Sequence, residues 1–100
     1  MPLHLLDREY QQHINEGLCQ DNQTCCWSVS LARVRNAIRI GNRVYLYNST
    51  TNPPFLSGVI TGVETCQHNV TKKIITFIPD NETDNIPWPE PRSQNPVRWT

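Results

Sequence analysis

Residues 40–64 read IGNRVYLYNSTTNPPFLSGVITGVE, and the alternation within this stretch decides the fold. Residues 43–47 alternate cleanly: Val44 and Leu46 face one way, and Arg43, Tyr45 and Tyr47 face the other. Branched and aromatic side chains suit a pleated, half-buried surface, so this is a strand. The run NSTTNPPFLSG is turn-rich, and its Pro53-Pro54 pair forbids regular structure. Residues 58–64, GVITGVE, form a second strand. Gly62 within it predicts a bulge or a close backbone approach.

Working outward, residues 73–78, KIITFI, supply a third strand, and the three are expected in one curved antiparallel sheet. Upstream, residues 3–6 are a short apolar strand. Asp7 can cap a helix on which Leu6, Tyr10, Ile14 and Leu18 recur at fourfold spacing, and Gly17 is placed to end it. Residues 19–26, CQDNQTCC, read as polar loop without periodicity. Trp27 then begins a second helix, capped by Ser28 or Ser30. Leu31, Val34 and Ile38 share one face of that helix, while Arg35 and Arg39 lie on another. Residues 79–100 hold Pro79, Pro87, Pro89, Pro91 and Pro96, so they are extended. Trp88 and Trp99 predict that this tail packs on the body. The expected architecture is α+β: one domain over residues 1–100, a small curved or open antiparallel β-barrel with two short helices.

At 100 residues there is no room for a second domain. Nine basic and nine acidic residues cancel, which argues against a nucleic-acid binder that works by bulk charge. The charge is nevertheless unevenly spread. Residues 22–63 hold no acid but carry Arg33, Arg35, Arg39 and Arg43, whereas Glu64, Asp80, Glu82, Asp84 and Glu90 follow. Arginine forks suit phosphate, so a local anion-facing surface fits this stretch as well as a solvated helix face does. No apolar run has the length of a membrane helix, which is roughly 18 residues. Met1-Pro2-Leu3-His4 lacks the basic and apolar pattern of a secretory leader, so a cytoplasmic protein with reduced, buried thiols is expected. Four sequons, at Asn22, Asn48, Asn69 and Asn81, would carry glycans only in a secreted chain. Cys19, Cys25, Cys26 and Cys66 form no C-x-x-C pair. Neither they nor His4, His13 and His68 have zinc-ligand spacing, so no metal and no cofactor is expected. Adjacent Cys25 and Cys26 are poor disulfide partners for each other. No nucleophile elbow, P-loop or H-E-x-x-H motif is present, and the chain reads as a non-enzyme.

Several pieces resemble the EVE family of the PUA-like superfamily. These are the turn at Gly41, the strand through Val44 to Tyr47 with Ser49, and the G-x-x-x-G-x-V pattern of Gly58, Gly62 and Val63. Upstream, residues 8–20, REYQQHINEGLCQ, resemble the short helix and Gly-hydrophobe-x-Gln turn of one branch. Downstream, residues 95–99, NPVRW, resemble an Arg-Trp pair before the last strand. The chain departs from the family at Asn42, where an acid is usual, and in the absence of an early aromatic. It also ends just after Trp99, where longer members add a strand. A missing strand would leave the barrel open, with an edge on which a second copy could form a homodimer.

The resemblance implies binding rather than catalysis: a modified nucleobase in nucleic acid, or a small nucleoside-like ligand, turned out of its stack into an aromatic-walled pocket. The implied ligand-binding residues are Trp27, Ser28, Tyr47, Asn48, Ser49, Gln20 and Trp88, with Tyr45 and Trp99 as further rings. Arg33, Arg35 and Arg43 would meet phosphates. Each has a plainer role open to it. Trp27 and Trp88 can be core, Tyr47 a sheet-face residue, Ser49 a turn residue, and the arginines a solvated surface. The rival function is a PUA-like scaffold that binds protein and has no working base pocket.

Overall fold

The computed structural model describes residues 2–80, 86–90 and 95–100. The Asn81 sequon, Glu82, Asp84 and Pro91 lie outside the described residues. The order of elements is β1 (Leu3–Leu6), α1 (Tyr10–Asn15), β2 (Gln23–Trp27), α2 (Leu31–Arg39), β3 (Arg43–Tyr47), β4 (Leu56–Thr65), β5 (Lys73–Asp80) and β6 (Val97–Trp99). The strands form one six-stranded sheet in the order β2-β5-β4-β3-β1-β6.

The sheet is mixed, not antiparallel throughout, because β1 runs parallel to β3. Parallel neighbours need a long crossover, and α1, β2 and α2 supply it. Among the described residues β2 and β6 do not pair with each other, so the sheet stays open and is not a closed barrel. Two further expectations fail locally. The 19–26 segment is not all loop: Gln23–Trp27 is a strand on β5, and Trp27 ends that strand instead of starting α2. A register shift between Thr24 and Trp27 breaks the period-two pattern there, which hides the strand in the sequence. Asp7 does not cap α1. Its side chain is buried, and Glu9 holds the N-cap position without a side-chain hydrogen bond. Ser30, not Ser28, caps α2 by accepting from the Arg33 amide.

Both helices end on glycines with left-handed backbone, φ 76° at Gly17 and 68° at Gly41. Past Gly41, the Asn42 amide donates to Ala37 O at 2.8 Å and turns the chain into β3. Val34 and Ala37 of α2 pack with Leu3, Leu5, Val44, Leu46, Ile60, Ile75 and Phe77 in the main core. A second cluster joins Leu6, Tyr45, Tyr47 and Trp88. There the Tyr47 and Trp88 rings meet edge to face at 5.1 Å. A third gathers Cys19, Cys25 and Cys66 with Ile74.

Cys26 and Cys66 form a disulfide, which corrects the expectation of fully reduced thiols; Cys19 and Cys25 are free and buried. No C-x-x-C spacing marks this bridge, because its partners lie 40 residues apart and meet only through the β2-β5-β4 pairing. Among the described residues, no helix is long and apolar enough to cross a membrane.

Candidate functional site

A cavity of about 540 Å³ opens where the end of β1, the start of α1, the end of β2 and the lead into β6 converge. Two backbone hydrogen bonds fix this junction: Leu6 N–H to Pro96 O at 2.9 Å, and Asp7 N–H to Tyr47 O at 2.8 Å. Asp7 sits at the junction with its carboxyl nearly closed off from solvent. The Thr24 hydroxyl donates to Asp7 Oδ2 at 2.6 Å, and the Trp27 indole N–H donates to the same hydroxyl at 2.9 Å. This chain spans the irregular part of β2 and sets the Trp27 ring and the Asp7 carboxyl in one wall. Burial raises the Asp7 carboxyl above its ordinary range, against the opposing pull of the Thr24 hydroxyl, His13 and the Glu9 backbone.

Ser28, Asn95 and Pro96 line the same cavity, with Arg8 and Lys72 as its cationic residues. Glu9 and His13 stand one turn apart on its α1 side, with His13 Nε2 3.2 Å from Glu9 Oε2. Among the described residues His13 Nδ1 is buried without a partner. The cavity therefore borders the buried Asp7 together with Arg8 and Lys72, while Trp27, which also lines it, is only 7% exposed and belongs to the main core.

The other residues singled out in the sequence are scattered. Tyr47 has no solvent exposure. His4 Nδ1 lies 2.9 Å from the Tyr47 hydroxyl, and His4 Nε2 lies 2.7 Å from Thr100 Oγ1. The Tyr47 hydroxyl also lies 3.1 Å from Ile86 O and 3.3 Å from Pro87 O, so His4, Tyr47 and Thr100 form one polar group at the Trp88 side of the sheet. Burial, with Arg98 nearby, lowers the His4 ring from 6.5 to about 4. Trp88 is buried against Tyr47 and borders a separate hollow with Thr50–Pro53 side chains. Asn48 lines a shallow depression with Tyr10 and Phe55. Ser49 Oγ accepts the Asn52 amide at 3.2 Å in a turn, and exposed Gln20 gives its amide to Gln23 Oε1. Trp27 and Ser28 are the members of that set that share the main cavity.

None of the three arginines lines it. Arg33 lies over the Trp99 ring at 4.7 Å, and Arg35 is exposed on α2. Arg43 makes two 2.6 Å bonds to Asp80, which raise its already high pKa further, and Tyr45 stands beside it.

Asp7, His13, Lys72 and Asn95 line the cavity but were not among the ligand-binding residues expected from the sequence. A usable signal exists for the first. Residues 24–27, TCCW, are a short run of strand formers between polar residues, and a strand there needs a polar partner for Trp27. Among the described residues no group of three His, Cys, Asp or Glu side chains is arranged to hold a metal. Compared with family models, with curated proteins and with solved structures, the chain matches none of them.

Proposed function

We propose that this chain is an EVE-type, PUA-like binding module of the cytoplasm that holds a modified nucleobase, in nucleic acid or as a free nucleoside-like ligand, in the Asp7–Trp27 cavity. The observation that carries the reading is the Trp27–Thr24–Asp7 chain: a buried carboxyl acceptor and an indole ring held together in one wall of a cavity of about 540 Å³. That volume lies in the usual small-ligand range of about 300–1,000 Å³. A base N–H or exocyclic amine would donate to Asp7, the ring would lie against Trp27, and Arg8 or Lys72 would meet the flanking phosphate. On this reading the open mixed sheet is a variant of the PUA-like barrel, and the activity is binding without catalysis.

The places of β2 and β6 at the two ends of the sheet order among the described residues favour a second reading, a scaffold that pairs with a protein or a second copy of itself. A calorimetric screen of modified and unmodified nucleosides and short oligonucleotides separates the two. The base reading expects binding that Asp7→Asn weakens. The scaffold reading expects no nucleoside binding and a change of mass in sedimentation.

A further inference from the structure

We propose that the Cys26–Cys66 bridge is a thiol–disulfide exchange site for low-molecular-weight thiols of the glutathione class, and that its redox state sets the shape of the Asp7–Trp27 cavity. The inference deepens the base-binding reading and rests on it for the cavity's role. Four observations carry it. Cys26 lines the cavity and is half-buried, whereas Cys66 has no solvent exposure and packs with Ile74. The bridge joins β2 where its ladder to β5 is interrupted, between Thr24 and Trp27, to the residue that follows β4. Both ends of the interruption, Thr24 and Trp27, are the residues that position Asp7 and the aromatic wall. Among the described residues β2 is also the end strand of the sheet, next to β5.

In a cytoplasmic protein a disulfide is more often transient or redox-sensing than structural. Cys25, the immediate neighbour, does not scramble the bridge: burial pushes its thiol up to about 12, so it stays protonated and a poor nucleophile. The exchange is balanced by the external thiol. A glutathione thiolate attacks Cys26 Sγ, the Cys26–Cys66 bond breaks, and the Cys66 thiolate leaves and takes up a proton. A second glutathione thiolate attacks the mixed disulfide at the glutathione sulfur. This releases Cys26, which is protonated, and forms oxidised glutathione; the protein has gained two electrons and two protons.

The test equilibrates the whole chain in glutathione buffers of graded ratio, quenches in acid, alkylates under denaturing conditions and maps the peptides. Hydrogen exchange is followed in parallel. Cys26 and Cys66 are expected unlabelled in oxidising buffer and labelled together in reducing buffer, with Cys19 and Cys25 labelled in both. Reduction should speed amide exchange in residues 23–28 by about tenfold or more, and leave residues 43–47 within about twofold. Cys66→Ser should hold the fast-exchanging state in every buffer. Labelled Cys26 in oxidising buffer, or exchange in residues 23–28 that ignores reduction, overturns the proposal. These arms need no ligand. A separate 5-methylcytidine titration expects weaker binding by the reduced protein, and equal binding in the two states also overturns the proposal. If the nucleoside binds neither state while exchange responds, the base reading falls and the exchange site stands.

Discussion

Asp7 and His4 are both buried ionisable groups on or beside β1, and they titrate with opposite consequences. Burial raises the Asp7 carboxyl, so the folded state holds its proton more tightly than the unfolded chain does. Its contribution to stability is present below 3.8, the unfolded value, and is lost as pH rises through the higher folded value. Asp7→Asn removes that dependence. The urea midpoint of the natural protein, relative to this variant, should therefore fall as pH rises through that window and then level off. His4 is lowered to about 4 from 6.5, so the unfolded chain takes the proton first. Its contribution is complete above 6.5 and drains away as pH falls to about 4. Relative to His4→Gln, the natural protein should lose stability over that acid interval. Tyr47→Phe should act on the fold and not on the ligand. It strips the hydroxyl that bridges His4 to Ile86 O. Orphaning a buried group costs about 1–3 kcal/mol, read as a lower urea midpoint with nucleoside affinity unchanged.

The two glycines of β4 separate two reasons for glycine in a strand. At Gly58 a Cβ would run into the Ile78 carbonyl and the Phe77 ring. At Gly62 it would meet only the Thr76 side chain, at 3.3 Å, beside the bulge that follows Ile60. Gly58→Ala should lower the thermal midpoint by an amount matching a loss above about 2 kcal/mol, and Gly62→Ala by less than half of that. The sequence marked Gly62 as special, since a glycine inside an alternating strand stands out. It could not rank Gly58, whose constraint comes from a neighbouring strand 20 residues away. The same division runs through the other elements. β3 was legible to the residue because its alternation is local. β2 was not, because its pattern is broken at Cys25 and Cys26 and its pairing with β5 is distant in sequence. β6 was hidden because three residues carry no period, and only β1 makes them a strand. Within the cavity, Trp27 and Ser28 were named through the EVE resemblance. Asp7 was concealed because an Asp before a helix reads as a cap, and only the β1–β2 junction turns it inward.

At the scale of the whole molecule, neutrality conceals where charge is available. Arg43 is matched to Asp80, Arg33 lies on Trp99, and Arg8 and Lys72 border the cavity. A single-stranded oligonucleotide should therefore lose affinity with salt in a way that Arg8→Ala and Lys72→Ala each flatten, by about 0.7 in the log–log slope per phosphate contact. Arg35→Ala, on the exposed face of α2, should leave the slope unchanged. The most direct test of the account is an amide and indole NMR titration with a short oligonucleotide carrying 5-methylcytosine. The account predicts shifts at the Trp27 indole and at the amides of residues 7–9 and 24–28, with Trp88 silent. Trp27→Phe should weaken the same titration in the direction of the roughly 5- to 150-fold that loss of a stacking ring costs. Shifts confined to Trp88, Trp99 or residues 50–53, or no shift at all with any modified or unmodified base, would contradict it.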